Sequence, residues 1–374
     1  MTILIAPDSF KGTLSAAEVC EIIAAAFRET IPQAQPHGFP LADGGEGMVA
    51  AWHAVLGGAL HYTNVSGPYG ETVRAAYLML DDATAVLELA ACAGLELARP
   101  RGLNPERTST RGLGELLLCA KAEGARRIIL GLGGSATNDA GCGMAHALGW
   151  RFVNAQGEDF CPTGGTLRDI TQVLPPQVPF GIPVTAACDV ENPLHGPKGA
   201  AFVYAAQKGA DTAMIQRLDA GLRHVASITP DPSCLIPDSC GTGAAGGVGF
   251  GVMKFLGGIL RPGIDLLLDQ TNFTQLLARA ALVVTGEGRM DAQTLQGKAP
   301  FGVLARAQAA GVPVIGVCGC VDDTQALLDA GFAALYPAVT SERSLGELRK
   351  TCREDLYRSA KQAADGHISL FTQA

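Results

Sequence analysis

The sequence lacks the features that would place it in a membrane, secreted or nucleic-acid-binding class. No run of about 18 apolar residues without charges or breakers occurs, so no membrane-spanning helix is expected. The N-terminal residues, MTILIAPDSFKG, have no basic stretch and no long apolar segment, which predicts a cytoplasmic protein. Basic residues are too few to bind nucleic acid, because 28 Lys and Arg stand against 36 Asp and Glu.

Common metal, disulfide and nucleotide patterns are missing as well. The 11 cysteines are scattered singly apart from Cys318 and Cys320, so no disulfide framework is expected. The seven histidines form no H-x-x-x-H pattern of the kind that zinc sites use. The P-loop pattern is absent, because the one Gly-Lys pair, Gly297 and Lys298, precedes Ala299 instead of Ser or Thr.

Glycine is what the sequence has in excess. The chain contains 47 glycines, whereas ordinary usage of roughly 7% would give about 26. Many backbone turns must therefore be tight or face a ligand. Apolar residues make up 48% and charged residues 17% of the 374 residues, a composition and length that suit two well-packed α/β domains.

The order of predicted elements indicates how those domains are arranged. Both ends of the chain alternate strands and helices, which predicts a parallel sheet with helices on both faces. The middle has consecutive strand-like runs, VRAAYLML and TAVLELA, without a helix between them. We expect a discontinuous, three-layer Rossmann-like α/β domain from residues 1–65 plus 281–374, an inserted mixed α/β domain from residues 66–280, and an active-site cleft between them.

A glycine-rich loop in the stretch RIILGLGGSATNDAGCGMAHALG (127–149) joins a predicted strand to a predicted helix with Asn138 or Asp139 as its N-cap. Unpaired N–H groups and the helix dipole favour anions there, and glycines let the backbone approach a phosphate. A tight turn with a cap is the simpler alternative. The predicted phosphate-binding residues are Gly131, Gly133, Gly134, Ser135, Thr137 and Asn138.

Acidic or glycine-rich loops follow the other predicted strands too. In open parallel sheets, ligands bind outside the carboxyl ends of the strands. PDSFKG places Asp8, Ser9 and Lys11 at such an end, and IPVTAACD places Asp189 at another. ADGGEG contains Asp43 and Glu46, which fit a helix-capping box as well as a metal site. TGEGRMD, with Asp291, follows a further strand.

Two cations stand at predicted helix N-termini, where the helix dipole disfavours positive charge. Arg111 opens one such helix and needs an anionic partner, either a substrate carboxylate or phosphate, or Glu106 as a structural partner. Lys298 precedes another helix and, like Arg111, could offset a phosphate. By contrast GTGAAG (241–246) matches a dinucleotide-binding pattern but lacks the strand that should precede it, so we interpret its glycines as packing or loop residues.

Eight sequence blocks, in order along nearly the whole chain, resemble the bacterial glycerate kinases of the type-one family. They are IAPDSFKGTLSA, ADGGEG, TRGLGEL, GLGGSATNDAG, ACDVENPL, QKGAD, GTGAAGG and TGEGRMDAQTLQGK. The resemblance implies phosphorylation of D-glycerate by ATP with Mg²⁺, on a two-domain fold with a cleft. The product it suggests is 2-phosphoglycerate, with 3-phosphoglycerate as the alternative.

This reaction gives the candidate residues their roles, since phosphoryl transfer depends on positioning and charge neutralisation. Lys11 or Lys298 would stabilise the transferring group, and Asp43 and Glu46 would hold Mg²⁺. Asp189 would orient or deprotonate the glycerate hydroxyl, with Asp8 or Asp291 as the alternative base. The predicted substrate-binding residues are Asp8, Ser9, Arg111, Asp291 and Lys298.

Three other classes stay open at this point. GTGAAG alone would support a nicotinamide-dependent oxidoreductase. A galactokinase-like kinase would share the GLGGSA loop, but the proline expected before the loop is absent. A non-catalytic binding protein could share the cleft. The expected partners are small molecules, without nucleic acid or membrane, and the sequence allows a homodimer without deciding the oligomeric state.

Overall fold

The computed structural model describes residues 1–10, 12–41, 45, 47–229, 239–341 and 343–372. Its strands, in chain order, are β1 (Thr2–Pro7), β2 (Gln35–Gly38), β3 (Ala59–Ser66), β4 (Thr72–Met79), β5 (Thr84–Glu88), β6 (Arg127–Gly131), β7 (Arg151–Val153), β8 (Gln172–Leu174), β9 (Val184–Ala187), β10 (Ile259–Arg261), β11 (Ala280–Gly286), β12 (Arg289–Met290), β13 (Val314–Cys318), β14 (Cys320–Val321) and β15 (Ala334–Pro337).

The α-helices, in the same order, are α1 (Ala16–Thr30), α2 (Met48–Leu56), α3 (Ala90–Ala93), α4 (Leu95–Ala98), α5 (Arg111–Ala122), α6 (Cys142–Ala147), α7 (Ala200–Tyr204), α8 (Thr212–Ile228), α9 (Ala244–Leu256), α10 (Gly263–Gln270), α11 (Phe273–Leu277), α12 (Ala299–Ala309), α13 (Thr324–Asp329), α14 (Leu345–His367) and α15 (Ser369–Thr372). Short 3-10 helices cover Arg99–Arg101, Leu167–Asp169, Ala206–Lys208 and Thr294–Gln296. In the described part of the chain, no helix combines the length and apolarity that a membrane crossing needs.

The chain forms two compact units. The first unit comprises Met1–Asp43, Ala50–Leu56 and Ile264–Ala374, and the second comprises Gly44–Val49 and Gly57–Gly263. Strand β3, which ends at Ser66, pairs with β4 in the second unit, whereas the predicted division assigns the residues up to 65 to the other domain. Helix α11 belongs to the first unit although it precedes residue 281. The functional division into two domains with a cleft stays a prediction.

The first unit contains a five-stranded parallel sheet in the order β15-β13-β11-β1-β2. Strands β1, β11 and β13 are apolar and almost wholly buried, as expected for parallel strands covered on both faces. Helices α1 and α14 pack against each other, and their buried apolar residues belong to one core with β1 and β11. A capping box formed by Ser15 and Glu18 starts α1.

The second unit contains a six-stranded mixed sheet in the order β10-β9-β6-β5-β4-β3. Strands β5, β6, β9 and β10 run parallel, while β4 is antiparallel to both β3 and β5. The consecutive strands without an intervening helix, predicted for the middle of the chain, are therefore β4 and β5. Parallel sheets with surrounding helices confirm the predicted α/β class, and the mixed sheet confirms the mixed character of the inserted region.

Candidate active site

The second unit gathers several predicted residues at one edge of its sheet. Parallel strands place their carboxyl ends at the same edge, where ligands bind in such folds. Strand β5 ends at Glu88, which lies opposite Gly131, the last residue of β6. Gly131 in turn lies opposite Ala187, the last residue of β9, and Asp189 follows two residues later. The glycine-rich loop and Asp189 therefore leave adjacent strands.

Only the first part of the glycine-rich loop faces outward. Gly133 is half-buried and Gly134 is exposed, whereas the residues that follow are buried. Gly134 has a φ of +74°, a conformation that glycine adopts at little cost. A residue outside the loop holds this turn, because the N–H of Leu95 donates a hydrogen bond to the Gly134 carbonyl at 2.9 Å. The accessible surface of this loop is backbone, as phosphate binding requires.

The side chains of Ser135, Thr137 and Asn138 are buried, at 5%, 0% and 0% exposure. Lys208, from the second half of the unit, donates to Ser135 Oγ at 2.8 Å and to the Thr137 carbonyl at 2.6 Å. The hydroxyl of Thr137 and the side-chain amide of Asn138 have no hydrogen-bond partner. The predicted nucleotide contacts from these three residues stay predictions, and in this structure their side chains point away from solvent.

Asp139, at the end of the loop, joins two helix N-termini. Its Oδ2 accepts hydrogen bonds from the Thr110 N–H and hydroxyl, both at 2.8 Å, and from the Gly143 N–H at 3.2 Å. Its Oδ1 accepts from the Gly141 N–H at 3.1 Å. Burial raises the pKa of Asp139, and these four donors oppose the rise.

The predicted N-cap of α6 is wrong in position, because the cap residue is Gly141 in the left-handed conformation. Asn138 and Asp139 lie two or three residues before it. The carboxylate of Asp139 nevertheless satisfies N–H groups at the start of the helix, which is the physical task of a cap. The same carboxylate binds the residue before α5, so it ties the glycine-rich loop to the helix that begins with Arg111.

Arg111 has an anionic partner within its own helix. Its Nε donates to Glu115 at 2.9 Å, and Glu115 also accepts from the N–H and hydroxyl of Ser66. Glu106, the structural partner named from the sequence, instead pairs with Arg217. The Arg111 side chain is 47% exposed. The structural alternative to a substrate anion is therefore Glu115 and not Glu106, and the predicted contact with a substrate anion stays a prediction.

Asp189 is half-buried just beyond β9. Its Oδ1 accepts a hydrogen bond from the N–H of Gly263 at 2.9 Å. Gly263 follows β10, the neighbour of β9 in the sheet, so this contact fixes the carboxylate at the carboxyl edge. A purely structural role for Asp189 would be to cap the following NPLHG turn through its own backbone. Such a cap would not involve Gly263, so it does not account for this bond. A role in catalysis stays a prediction.

Glu88 anchors the chain that follows the predicted metal-binding segment. Its carboxylate accepts hydrogen bonds from the N–H groups of Gly47, at 3.2 Å, and Val49. Asp43 and Glu46 themselves lie outside the described residues, so their coordination and the predicted capping box stay predictions. Since Glu88 ends β5 next to β6, the anchor places the end of this segment beside the strand that carries the glycine-rich loop.

The glycines of GTGAAG (241–246) are packing residues, as the sequence analysis interpreted them. A Cβ atom on Gly246 would lie 2.0 Å from the carbonyl oxygen of Thr137, and one on Gly243 would lie 2.2 Å from that of Pro193. Such distances are far shorter than any real contact of a Cβ atom, so only glycine fits. These glycines let α9 pack against the buried end of the glycine-rich loop, where the N–H of Ala140 donates to the Gly246 carbonyl at 3.1 Å.

The first unit carries the other predicted substrate-binding residues at the edge of its own sheet. Asp8 follows β1, is 5% exposed, and accepts a hydrogen bond from the Ser9 N–H at 2.7 Å. The Asp8 N–H donates to the carbonyl of Gly286 at the end of β11. Gly286 has no room for a side chain, because a Cβ atom would lie 1.9 Å from the carbonyl oxygen of Val317. The backbone next to Asp8, at the end of β11, is therefore closely packed.

A cavity of about 980 Å³ opens beside this edge within the first unit. It is bounded by the loops after β1, β11 and β13 and by the start of α14. Its polar lining includes Ser9, Glu287, Arg289, Asp291, Lys298 and Arg343. The structure thus brings together three predicted substrate-binding residues, Ser9, Asp291 and Lys298. Lys11 lies outside the described residues, and its predicted catalytic role stays a prediction.

Lys298 and Asp291 are both held by local contacts in this cavity. Lys298 is the N-cap residue of α12, and its Nζ lies 3.2 Å from Glu287 Oε2. Glu287 also accepts a hydrogen bond from the hydroxyl of Thr294 at 2.7 Å. Asp291 accepts from the N–H of Gln293 at 2.8 Å. Both side chains are therefore held by contacts within the chain.

Three residues that shape these edges were not singled out from the sequence. Lys208 lies in the QKGAD block, but a lone lysine gives no local signal that it will be buried. Glu88 ends a strand in the same way as Asp189, so the argument about strand ends could have found it. Glu287 follows β11 within TGEGRMD, and the same argument applies to it.

Comparison with known proteins agrees with these features. A model of the glycerate kinase family matches residues 3–367. The chain is 44% identical to a glycerate kinase of Bacillus cereus (strain ATCC 10987 / NRS 248) over 370 residues, 97% of each chain. It is 41% identical to the glycerate 2-kinase of Escherichia coli (strain K12) over 371 residues, again 97% of each chain.

A solved structure has the same fold. The crystal structure of a Salmonella typhimurium LT2 protein, provisionally named glycerate kinase 2, superimposes with a TM-score of 0.85. The two sequences are 39% identical, and the match covers 100% of both chains. The α/β fold described above is therefore shared along the whole chain.

Proposed function

Since this chain belongs to the glycerate kinase family, we propose that it transfers the γ-phosphoryl group of ATP to the 2-hydroxyl group of D-glycerate. The observation that carries the choice of hydroxyl is the 41% identity, over 97% of both chains, with a relative named glycerate 2-kinase. The name of the Bacillus cereus relative, glycerate kinase, does not specify a hydroxyl group. Phosphorylation of the 3-hydroxyl group is the alternative that the experiment below distinguishes.

The chain is an enzyme, and a kinase of this family uses ATP. Its membership excludes the nicotinamide-dependent oxidoreductase, the galactokinase-like kinase and the non-catalytic binding protein considered from the sequence. The packing role of the GTGAAG glycines agrees with this outcome.

In the proposed complex, the backbone at Gly133 and Gly134 receives the phosphates of ATP. The support for this step is that these residues are the accessible part of a loop between a strand and a helix. Backbone N–H groups in such a turn stabilise anions. They suit an acidic protein with a net charge of −8, because they attract phosphate without many lysines.

Mg²⁺ is the proposed metal, with Asp43 and Glu46 as its ligands. Within the described ranges, no group of three or more His, Cys, Asp or Glu side chains could hold a metal ion. Mg²⁺ needs only one or two carboxylates when phosphate oxygens and water complete its shell. The anchor of Gly47 and Val49 on Glu88, beside β6, fits ligands that reach the phosphates. When bound, the ion would neutralise charge on the phosphoryl oxygens.

The acceptor side uses charged residues. Asp189 is the proposed base that orients and deprotonates the glycerate hydroxyl, and its fixed position at the sheet edge suits proton transfer. Arg111 is the proposed partner of the glycerate carboxylate, and its side chain is 47% exposed. Asp8, Ser9, Asp291 and Lys298 are proposed to bind substrate from the first unit, and Lys11 or Lys298 to stabilise the transferring group.

One coupled experiment tests the reaction and its product. The purified protein is incubated with ATP, D-glycerate and Mg²⁺, consumption of ATP is followed, and the product is identified by ³¹P NMR. We expect ATP loss that requires both glycerate and Mg²⁺ and a 2-phosphoglycerate signal. A spectrum with only 3-phosphoglycerate would show that the 3-hydroxyl group is phosphorylated instead. ATP loss without added metal would show that the reaction does not require Mg²⁺.

A further inference from the structure

Lys208 is a buried cation directly beneath the phosphate-binding loop. It ends the 3-10 helix Ala206–Lys208 and is 2% exposed. Its ammonium group donates to the hydroxyl of Ser135 at 2.8 Å and to the carbonyl of Thr137 at 2.6 Å. Both acceptors belong to the loop segment that follows Gly133 and Gly134.

An ammonium group in this place is costly, because burial disfavours its charge. Burial lowers the pKa of Lys208 to about 7, and the nearby carboxylate of Asp139 opposes that change. The surroundings are polar instead of apolar, since the hydroxyl of Thr137 and the amide of Asn138 are buried without partners. A core built only for stability would fill such a position with apolar side chains.

The two hydrogen bonds fix the backbone on the far side of the exposed turn. Before the turn, the N–H of Leu132 donates to the carbonyl of Ala187 at 3.4 Å, and within it the Gly134 carbonyl accepts from the N–H of Leu95. The turn is therefore held by hydrogen bonds on both sides. Backbone N–H groups bind phosphate well only when they already point in the right direction. Glycines cannot supply that order themselves, because they are the most flexible residues.

We propose that Lys208 is a positioning residue for the nucleotide: it holds Ser135 and Thr137 so that the Gly133–Gly134 turn presents its N–H groups to the ATP phosphates. This inference rests on the proposed role of the loop in nucleotide binding. Lys208 itself does not touch the nucleotide. Its loss should therefore weaken the binding of nucleotide and leave the binding of glycerate unchanged.

The test replaces Lys208 with methionine, which has similar length and no charge. We expect the Kd for Mg·ADP, measured by calorimetry, and the KM for ATP to rise about tenfold or more, because small misplacements of binding groups have effects of that size. The KM for glycerate should stay within about twofold of wild type. A merely structural lysine would lower the melting temperature without separating the two KM values.

Lys121→Met is the matched control. Lys121 also donates to a carbonyl, that of Phe180, at 2.5 Å within the same unit, but away from the loop. We expect it to leave the Kd for Mg·ADP unchanged. A Lys208→Met protein that folds and binds Mg·ADP like wild type would overturn the proposal.

A second variant decides the case in which Lys208→Met does not fold. Ser135→Ala removes one of the two acceptors and keeps the lysine, so we expect a smaller rise in the Kd for Mg·ADP, about threefold or more. Wild-type affinity in folded Ser135→Ala would then overturn the inference. If the wild-type protein itself bound no Mg·ADP, the proposed function of the loop would fail together with it.

Discussion

The two sheet edges that carry candidate residues, one in each unit, are built in opposite ways. In the first unit, charged side chains line an open cavity of about 980 Å³, and the half-buried Lys298 there is paired with the buried Glu287. In the second unit, the exposed part is glycine backbone, and the charges of Asp139 and Lys208 lie buried beneath it. One edge offers side-chain charge to solvent, whereas the other uses buried charge to fix backbone geometry.

The contrast indicates how each edge should respond to substitution. Several cations line the cavity of the first edge, so the loss of one should have a small effect. Backbone geometry depends on several buried bonds together, so changes at the second edge should have larger and more specific effects.

Among these substitutions, Asp189→Asn, at the sheet edge of the second unit, should have the largest effect on catalysis. Asn keeps an oxygen for the N–H of Gly263 but cannot accept the proton of the hydroxyl. We expect kcat to fall roughly 10²-fold or more, with little change in the KM for glycerate. Steady-state kinetics measure both values. The exposed Asp169→Asn serves as control, and a near-normal kcat in folded Asp189→Asn would move the base to Asp8 or Asp291.

The fold was more predictable from the sequence than the support of the site. Strands β1, β6 and β11 carry continuous apolar runs, and the capping box at Ser15 and Glu18 marks the start of α1, so local signals sufficed. The place of β3 was less predictable, because β3 pairs with β4 only in the folded sheet. Strand pairing is decided by packing that a local pattern does not contain.

The candidate site shows the same limit. The glycine-rich loop was recognisable because its glycines, its strand and its helix are contiguous in sequence. The lysine beneath it comes 73 residues after Ser135, and lysine is almost never buried, so no local argument would place it there. Glu106 was considered as the structural partner of Arg111, beside a substrate anion, but it pairs with Arg217. The predicted helix from Arg111 already puts Glu115 one turn away, so the sequence contains the signal for this ion pair.

Arg111→Ala should have the next largest effect. Removing a charge-assisted hydrogen bond typically costs about 1.5 to 3 kcal/mol, so the KM for glycerate should rise about tenfold to 100-fold. The KM for ATP should change little. Arg217→Ala is the control, because that arginine also pairs with a glutamate in the same unit and is similarly exposed. An unchanged glycerate KM would assign Arg111 to structure or to the nucleotide.

Gly133→Val tests the backbone part of the second edge. The φ of Gly134 is +74°, so a substitution there would strain the backbone, and Gly133 is the cleaner position. Bulk at Gly133 should block the approach of phosphate and raise the KM for ATP about tenfold, with the glycerate KM nearly unchanged. Gly346→Val, with open space around its Cβ position, is the control. A normal ATP KM combined with lost thermal stability would favour the simple turn.

Lys298→Met should have the smallest effect and tests the first edge. The cavity also contains Arg289 and Arg343, so two cations stay in it when Lys298 is lost, and Lys298 is itself paired with Glu287. We expect the KM for glycerate to rise about threefold to tenfold, equivalent to roughly 1 kcal/mol. Arg289→Met removes the same charge from the same cavity, but that arginine is 66% exposed and pairs with Asp322. If both variants raise the glycerate KM equally, Lys298 acts only through the general charge of the cavity. If Lys298→Met instead lowers kcat as strongly as Asp189→Asn, the contrast between the two edges is wrong.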